Sequence, residues 1–120
     1  MASYKDLTVW QKSMSLVMEV YRLVKLLPTE ERFALSDQMR RCSVSIPSNI
    51  AEGQARNSHK EFIRFLCIAQ GSRAELETQI QICIRLNYIT EQQSKVALQL
   101  CDKISRMIRA LIQKEESYKN

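Results

Sequence analysis

The residues of this sequence that could do chemistry lie on a polar strip within residues 40–53. Arg41, Ser45, Ser48 and Glu52 follow one another at spacings of four, three and four residues. In a helix these spacings place all four side chains on one face. Hydroxyls flanked by an arginine and a glutamate could bind a polar ligand, so an enzyme that uses this strip is one hypothesis.

The same stretch is an unfavourable helix by local rules. Serine and asparagine compete for backbone hydrogen bonds and favour helix caps over helix interiors. Pro47 removes one backbone hydrogen bond, and its ring crowds the carbonyl of Ser43. Such a helix must be stabilised by tertiary or intersubunit contacts, and violations of local rules tend to mark functional or strained sites.

A structural role for the strip is the preferred hypothesis. Asn49 leans toward the core, and on the third predicted helix Glu75 lies between the apolar residues Ile68 and Ile82. Buried charges are normally paired, and Arg40 or Arg41 is the obvious partner for Glu75. The predicted network fixes register within a bundle or across a subunit interface. Its members are Arg40, Arg41, Ser45, Ser48, Asn49, Glu52, Ser72 and Glu75.

No motif predicts a catalytic residue, a metal site or a cofactor. His59 is the only histidine, and no recognisable motif gives it the partners of a nucleophilic triad. A helical di-iron site needs Glu-x-x-His pairs from two helices, which one histidine cannot supply. Cys42, Cys67, Cys83 and Cys101 form no Cys-x-x-Cys pair, so we expect reduced core cysteines, as in a cytoplasmic protein.

Two groups of basic residues are candidate phosphate contacts. Arg56, Lys60 and Arg64 form a predicted i, i+4, i+8 ridge at the start of the third helix. The second group consists of Lys103, Arg106 and Arg109 on the fourth helix. The net charge of +5 is compatible with RNA or DNA, but also with a merely solvated basic surface. Without exposed aromatic residues between the cations, neither base stacking nor sequence-specific recognition is predicted.

The elements that must position these residues are helices. The chain has 120 residues, 45% of them hydrophobic, and only two glycines and two prolines, which predicts one helical domain over residues 1–120. No secretory signal and no membrane span is expected. Helix one is predicted over residues 6–27, ended by Pro28, with two apolar stripes. One stripe is Leu7, Trp10, Met14, Val17, Tyr21 and Val24; the other is Val9, Leu16, Val20, Leu23 and Leu27.

The remaining helices are predicted from capping signals. Thr29 can cap a short acidic turn, and helix two begins there or at Ser36 and stops at Gly53. Helix three runs over residues 58–86 from a capping box, with Asn87 in the left-handed closing position, and helix four opens with a second box at Thr90. Gly71 predicts close approach of another helix. Residues 114–120 are expected to fray. The prediction is all-α, an up-down four-helix bundle.

A family resemblance rests on motifs that occur in order along the predicted helices. The residues that carry it are, in helix one, Asp6, Leu7, Val9, Trp10 and Gln11; in helix two, Gln38, Arg40, Arg41, Ser43, Ser45, Ile46, Ser48, Asn49, Ile50, Ala51, Glu52 and Gly53; in helix three, Gly71, Ser72, Glu75, Glu77 and Thr78. The chain resembles the bacterial four-helix bundle proteins encoded in intervening sequences of large-subunit ribosomal RNA genes. That family is similar to the accessory variability protein of diversity-generating retroelements.

The resemblance implies a ring-like homopentamer with no known enzymatic activity. For the retroelement relatives it implies a basic surface that engages nucleic acid and a reverse transcriptase. The two apolar stripes of helix one independently predict self-association, because a monomeric bundle buries only one of them. We therefore expect a cytoplasmic, non-enzymatic oligomer that contacts RNA or DNA. The alternative is a protein–protein adaptor whose basic character is incidental.

Overall fold

The structure, a computed structural model, describes residues 3–118, and its framework is four long helices. They are α1 (Thr8–Val24), α2 (Leu35–Ala55), α3 (His59–Arg85) and α4 (Glu91–Glu116), with 3-10 turns at Tyr4–Asp6 and Thr29–Glu31. No strand occurs among residues 3–118. Each helix packs against the next and α4 closes back onto α1, in a body of 49 × 23 × 20 Å. The predicted all-α up-down four-helix bundle is confirmed.

The core is built from one apolar stripe of each helix. Val9, Leu16, Val20 and Leu23 of α1 are buried, as is Leu27 just after that helix, together with residues such as Ile50 of α2, Leu66 of α3 and Ile104 of α4. The other α1 stripe is divided. Val17 and Val24 are buried, whereas Met14 and Tyr21 remain 39% and 41% exposed. One chain thus leaves part of the second stripe in solvent.

The helix starts depend on local backbone geometry that periodicity does not reveal. Leu7 is extended (φ −74°, ψ 124°), so α1 begins at Thr8 rather than at residue 6. Thr29 does not cap the acidic turn, because Pro28 occupies the N-cap position. The capping box of Thr90 and Gln93 is confirmed. At α3 only half of the predicted box forms: the Ser58 hydroxyl accepts from the Glu61 N–H at 3.3 Å.

The structure corrects two predictions that were based on glycine, one at the end of α2 and one in the middle of α3. Helix α2 does not stop at Gly53 but continues to Ala55, and Asn57 takes the left-handed conformation (φ 57°) that follows it. Gly53 is instead a point of close packing, since a Cβ there would lie 2.6 Å from Phe65 Cβ. Gly71 is exposed, and a Cβ added there would meet nothing within 4 Å, so no helix of the same chain approaches it closely. The predicted left-handed Asn87 is confirmed (φ 62°).

The last helix is longer than predicted. Helix α4 continues to Glu116, so the expected fraying does not begin at residue 114; residues 119 and 120 lie outside the described part of the chain. None of the helices within residues 3–118 is both long and apolar enough to cross a membrane.

Candidate functional site

A hydrogen-bonded cluster joins α2 to α3 at the centre of the polar strip. The hydroxyls of Ser45 and Ser72 lie 2.8 Å apart. The Asn49 amide donates to the Ser45 carbonyl (2.8 Å) and to the Ser45 hydroxyl (2.9 Å). The Cys42 thiol donates to the Ser72 carbonyl at 3.1 Å. The structure therefore brings together three of the residues predicted for the network, Ser45, Asn49 and Ser72, and adds Cys42, which sequence reasoning assigned only to the core.

The predicted pairing of Glu75 with an arginine does not occur among residues 3–118. Arg40 and Arg41 both approach Asp37, at 4.0 and 3.1 Å. Asp37 precedes them by one turn of the same helix, where an ion pair forms locally. Glu75 is exposed, and its carboxylate accepts from the Gln79 amide at 3.5 Å. Its expected half-burial is wrong for a single chain, because Glu75 stands at the open edge of a shallow pocket between α2 and α3.

Ser48 and Glu52, in the second half of the strip, point away from the cluster. Ser48 is exposed and lines an apolar groove between α1 and α2. Glu52 pairs with Arg56 at 3.1 Å, one turn further along the chain. The four residues of the strip therefore divide: Arg41 and Ser45 line one shallow pocket with Ser72 and Glu75, whereas Ser48 and Glu52 lie outside it.

The three buried cysteine thiols are poor nucleophiles in this fold. A shallow pocket of about 250 Å³ lies beside Cys42 and Glu75. Burial, and secondarily the Glu75 carboxylate, raises the pKa of Cys42 to about 12. Burial likewise raises the pKa of Cys101 to about 12 and that of Cys83 to about 11. A thiol that stays protonated is inert. Cys67 is exposed, so its predicted place in the core is wrong.

His59 ties the start of α3 to the end of α4. Its Nδ1 lies 2.5 Å from Glu115 Oε1, and its ring stacks on Tyr118 with centroids 4.4 Å apart. Sequence reasoning missed this contact, since no motif signals a pair separated by more than fifty residues. Within residues 3–118 no three His, Cys, Asp or Glu side chains are grouped to hold a metal ion.

The first basic group is held around one aromatic ring and one carboxylate. Arg56 and Arg64 lie over the Phe65 ring, 5.0 and 4.6 Å from its centroid. Both also approach Glu61, at 3.8 and 3.4 Å, while Lys60 is exposed. The predicted continuous ridge is wrong in one respect. Arg56 precedes α3 and is separated from it by the left-handed Asn57, so the group spans a helix junction.

The second basic group lies along α4. Lys103 and Arg106 line an open groove of about 760 Å³ between α3 and α4. Arg106 pairs with Asp102 at 2.6 Å, and Arg109 donates to the Ser105 hydroxyl at 3.3 Å. Two contacts fix the register of the helix pair: His59 meets Glu115, and the Gln70 amide donates to the Ser105 carbonyl at 3.2 Å. In this register Arg109 stands at nearly the same height along the bundle as Arg64.

Comparison with known proteins agrees with this architecture. No curated protein matches the chain. A solved structure from Bacteroides thetaiotaomicron VPI-5482, described as a protein with unknown function from the S23 ribosomal protein family, is similar with a TM-score of 0.80 and 30% sequence identity. The match covers 88% of this chain and 98% of that chain. The family model described as 23S rRNA-intervening sequence protein matches residues 5–110. As its helix-two motif predicted, the chain belongs to the family of 23S rRNA-intervening sequence proteins.

Proposed function

We propose that this protein is a non-enzymatic accessory factor, one bundle domain over residues 1–120, that assembles as a homopentamer and contacts RNA or DNA. The observation that carries the proposal is the exposure of two groups of cations, one around the start of α3 and the other along α4. They are Arg56, Lys60 and Arg64 in the first group, and Lys103, Arg106 and Arg109 in the second. Cations on an exposed helix surface contact phosphates without reading base sequence.

The local carboxylates leave these cations available. The side chains of Arg64 and Arg106 are 57% and 73% exposed although each has an acidic neighbour. Exposed ion pairs of this kind contribute little and can exchange one anion for another. Lys60 and Lys103 have no carboxylate within 4.0 Å among residues 3–118. A phosphate can therefore bind at either lysine without displacing an existing ion pair.

Self-assembly is supported by the apolar surface of α1. Met14, Met18 and Tyr21 follow the i, i+4, i+7 spacing of one helix face and are all exposed. Exposed apolar patches of this kind mark interaction surfaces. A ring would also place the cations of several chains side by side. When weak contacts are linked in one assembly, their overall affinity rises strongly because each bound contact raises the effective concentration of the next. A modest charge on each subunit would therefore suffice for binding.

The setting we propose is the cytoplasm, with the gene inside an intervening sequence of a ribosomal RNA gene or a retroelement-like context. Three buried free thiols, Cys42, Cys83 and Cys101, fit a reducing compartment. The resemblance to the retroelement accessory protein makes a reverse transcriptase the protein partner to test first.

The test is a comparison of binding between matched charge-neutralised variants. Labelled RNA and DNA are titrated with wild-type protein, with Arg56→Gln/Lys60→Gln/Arg64→Gln, and with Lys103→Gln/Arg106→Gln/Arg109→Gln. The control is Lys5→Gln/Lys25→Gln, which changes two exposed lysines on either side of α1. We expect both triple variants to weaken binding to all sequences alike and the control to change little. The proposal fails if wild type binds neither nucleic acid at low salt.

A second candidate function is a protein–protein adaptor, favoured by one specific observation. An apolar groove of about 350 Å³ lies between α1 and α2, with Trp10 and Met14 on one wall and Val44 and Pro47 on the other. Such a groove suits an apolar anchor from another protein. Binding through it would be largely insensitive to salt, whereas binding to phosphates weakens steeply with salt.

A further inference from the structure

The groove between α3 and α4 has a composition that the basic groups alone do not explain. It is open, with a volume of about 760 Å³. The half-buried side chains of Ile84 and Leu98 form its apolar base. Three amide side chains stand around that base: Gln81 from α3, and Gln92 and Gln99 from α4. A solvated basic face needs neither an apolar base nor a ring of amides.

The charges of the groove favour an anionic ligand. Lys95, which sequence reasoning did not single out, lines the groove together with Lys103 and Arg106. Arg106 pairs with Asp102, which a phosphate can replace, while Lys95 and Lys103 supply the remaining positive charge and Glu91 opposes them. Lys95 and Arg106 are about 16 Å apart along the helix axis at about 1.5 Å per residue. The cations therefore form a line, as successive phosphates of one strand would require, rather than a single phosphate pocket.

The apolar base favours an unpaired strand over a duplex. In a duplex the base faces are stacked and hidden, whereas an unpaired base can lay its face on an apolar surface and offer its edge to side chains. Glutamine carries both a donor and an acceptor and can pair with a base edge.

The geometry points to the α3–α4 groove as a site for single-stranded nucleic acid, with phosphates along Lys95 and Lys103 and unpaired bases against Leu98 and the three glutamines. This inference rests on the proposed nucleic-acid function and narrows it. It assigns the preference for unpaired strands to the groove, and leaves Arg56, Lys60 and Arg64 to bind phosphates of any strand.

The experiment uses a short labelled RNA of unstructured sequence and the same strand annealed to its complement. Each is titrated with wild-type protein, with Gln81→Ala/Gln92→Ala/Gln99→Ala, and with Lys95→Gln/Lys103→Gln. Gln113→Ala, which changes an exposed glutamine of α4 outside the groove, is the matched control. The capping residue Gln93 is untouched in every variant, and circular dichroism confirms that each variant is folded.

We expect wild type and the control to bind the single strand about tenfold more tightly than the duplex, and the triple alanine variant to lose that preference while its duplex affinity stays within about twofold. For the single strand, the logarithm of affinity falls linearly with the logarithm of salt concentration. The double lysine variant should make this slope shallower by about 1.4, at about 0.7 for each cation neutralised. The assignment of single-strand binding to the groove is wrong if wild type binds the two RNAs equally. It is also wrong if the triple alanine variant still prefers the single strand. In both cases the proposed nucleic-acid function still stands. If neither RNA binds wild type, both fall.

Discussion

At the residue scale, two serines of the same polar strip have different surroundings. Ser45 lies at the centre of the cluster between α2 and α3, in contact with the Ser72 hydroxyl and the Asn49 amide. Ser48 is exposed beside the α1–α2 groove. The strip therefore contains one hydroxyl inside a hydrogen-bonded cluster and one exposed at a groove, although spacing alone makes the two equivalent.

This difference predicts the effect of truncating each serine. Ser45→Ala leaves partners of a half-buried cluster unsatisfied and should cost about 1 kcal/mol of unfolding free energy. Ser48→Ala should stay within about 0.5 kcal/mol. Both changes alter helix propensity equally, so the difference between two denaturant melts isolates the cluster. Equal costs for the two variants would mean that the cluster contributes nothing to stability.

The thiols give a second residue-scale prediction, on reactivity. Cys67 is exposed, whereas Cys42, Cys83 and Cys101 are buried. A thiol reagent added to the native protein should modify one cysteine rapidly and the other three only after unfolding. Cys67→Ser should remove the rapid phase and leave the slow one. Rapid labelling of more than one thiol would show that the bundle opens readily.

A third prediction concerns alkaline pH. Burial raises the pKa of Cys101 to about 12 and that of Cys83 to about 11, against 9.0 for a free thiol. Above pH 9 the unfolded chain releases these protons and the folded chain retains them, so stability is fully present below that pH and falls as the pH rises toward the folded values. Melting temperatures between about pH 8 and pH 10 should fall less steeply for Cys101→Ala than for wild type. Parallel slopes in the two proteins would rule out Cys101 as a cause.

At the element scale, α2 is the helix that local rules disfavour and the bundle stabilises. Pro47 is buried, and Ser43 turns its hydroxyl to the Arg40 carbonyl at 2.8 Å. The neighbouring helices cover the apolar face of α2, where Met39, Ile46 and Ile50 are wholly buried. The tertiary contacts expected from the unfavourable sequence are present on both sides, since α2 packs against α1 and α3.

The two glycines give the element-scale prediction, because identical substitutions should have opposite signs. In Gly53→Ala the new Cβ would meet Phe65 Cβ at 2.6 Å, forcing α2 and α3 apart at a cost of about 1–3 kcal/mol. Gly71→Ala meets nothing within 4 Å and should stabilise α3 by about 1 kcal/mol. Thermal melts of the two variants measure this directly. Destabilisation by Gly71→Ala would instead place Gly71 against a neighbouring subunit.

Much of the helical framework could be predicted from the sequence, because apolar periodicity and caps such as Thr90–Gln93 are local signals. The side-chain partners could not. Arg41 pairs with Asp37 rather than Glu75, and Gly53 marks close packing rather than a helix end, since these outcomes depend on how far apart two helices lie. The groove cation Lys95 was missed because no motif singles it out and only the packing of α3 on α4 gives it a site.

For the molecule as a whole, the proposed ring requires self-association. The exposed face of Met14, Met18 and Tyr21 on α1 is the surface that one chain leaves uncovered. Light scattering at micromolar concentration should give a mass several times 14.0 kDa. Met18→Glu, which places a charge on that face, should lower the mass while helical content persists. A wild-type monomer would refute assembly and leave each chain to bind nucleic acid alone.

The proposed function depends above all on exposed cations of an assembled bundle binding phosphates, and the salt dependence of wild-type binding measures that interaction. Affinity for a labelled RNA is determined across a range of salt concentrations, and its logarithm is plotted against the logarithm of salt. Each phosphate contact contributes about −0.7 to the slope for a single strand. The two basic groups of one chain, fully engaged, would give a slope of about −4, and cations from neighbouring subunits would make it steeper. A slope near zero, or no binding at the lowest salt, would contradict phosphate binding and favour the adaptor.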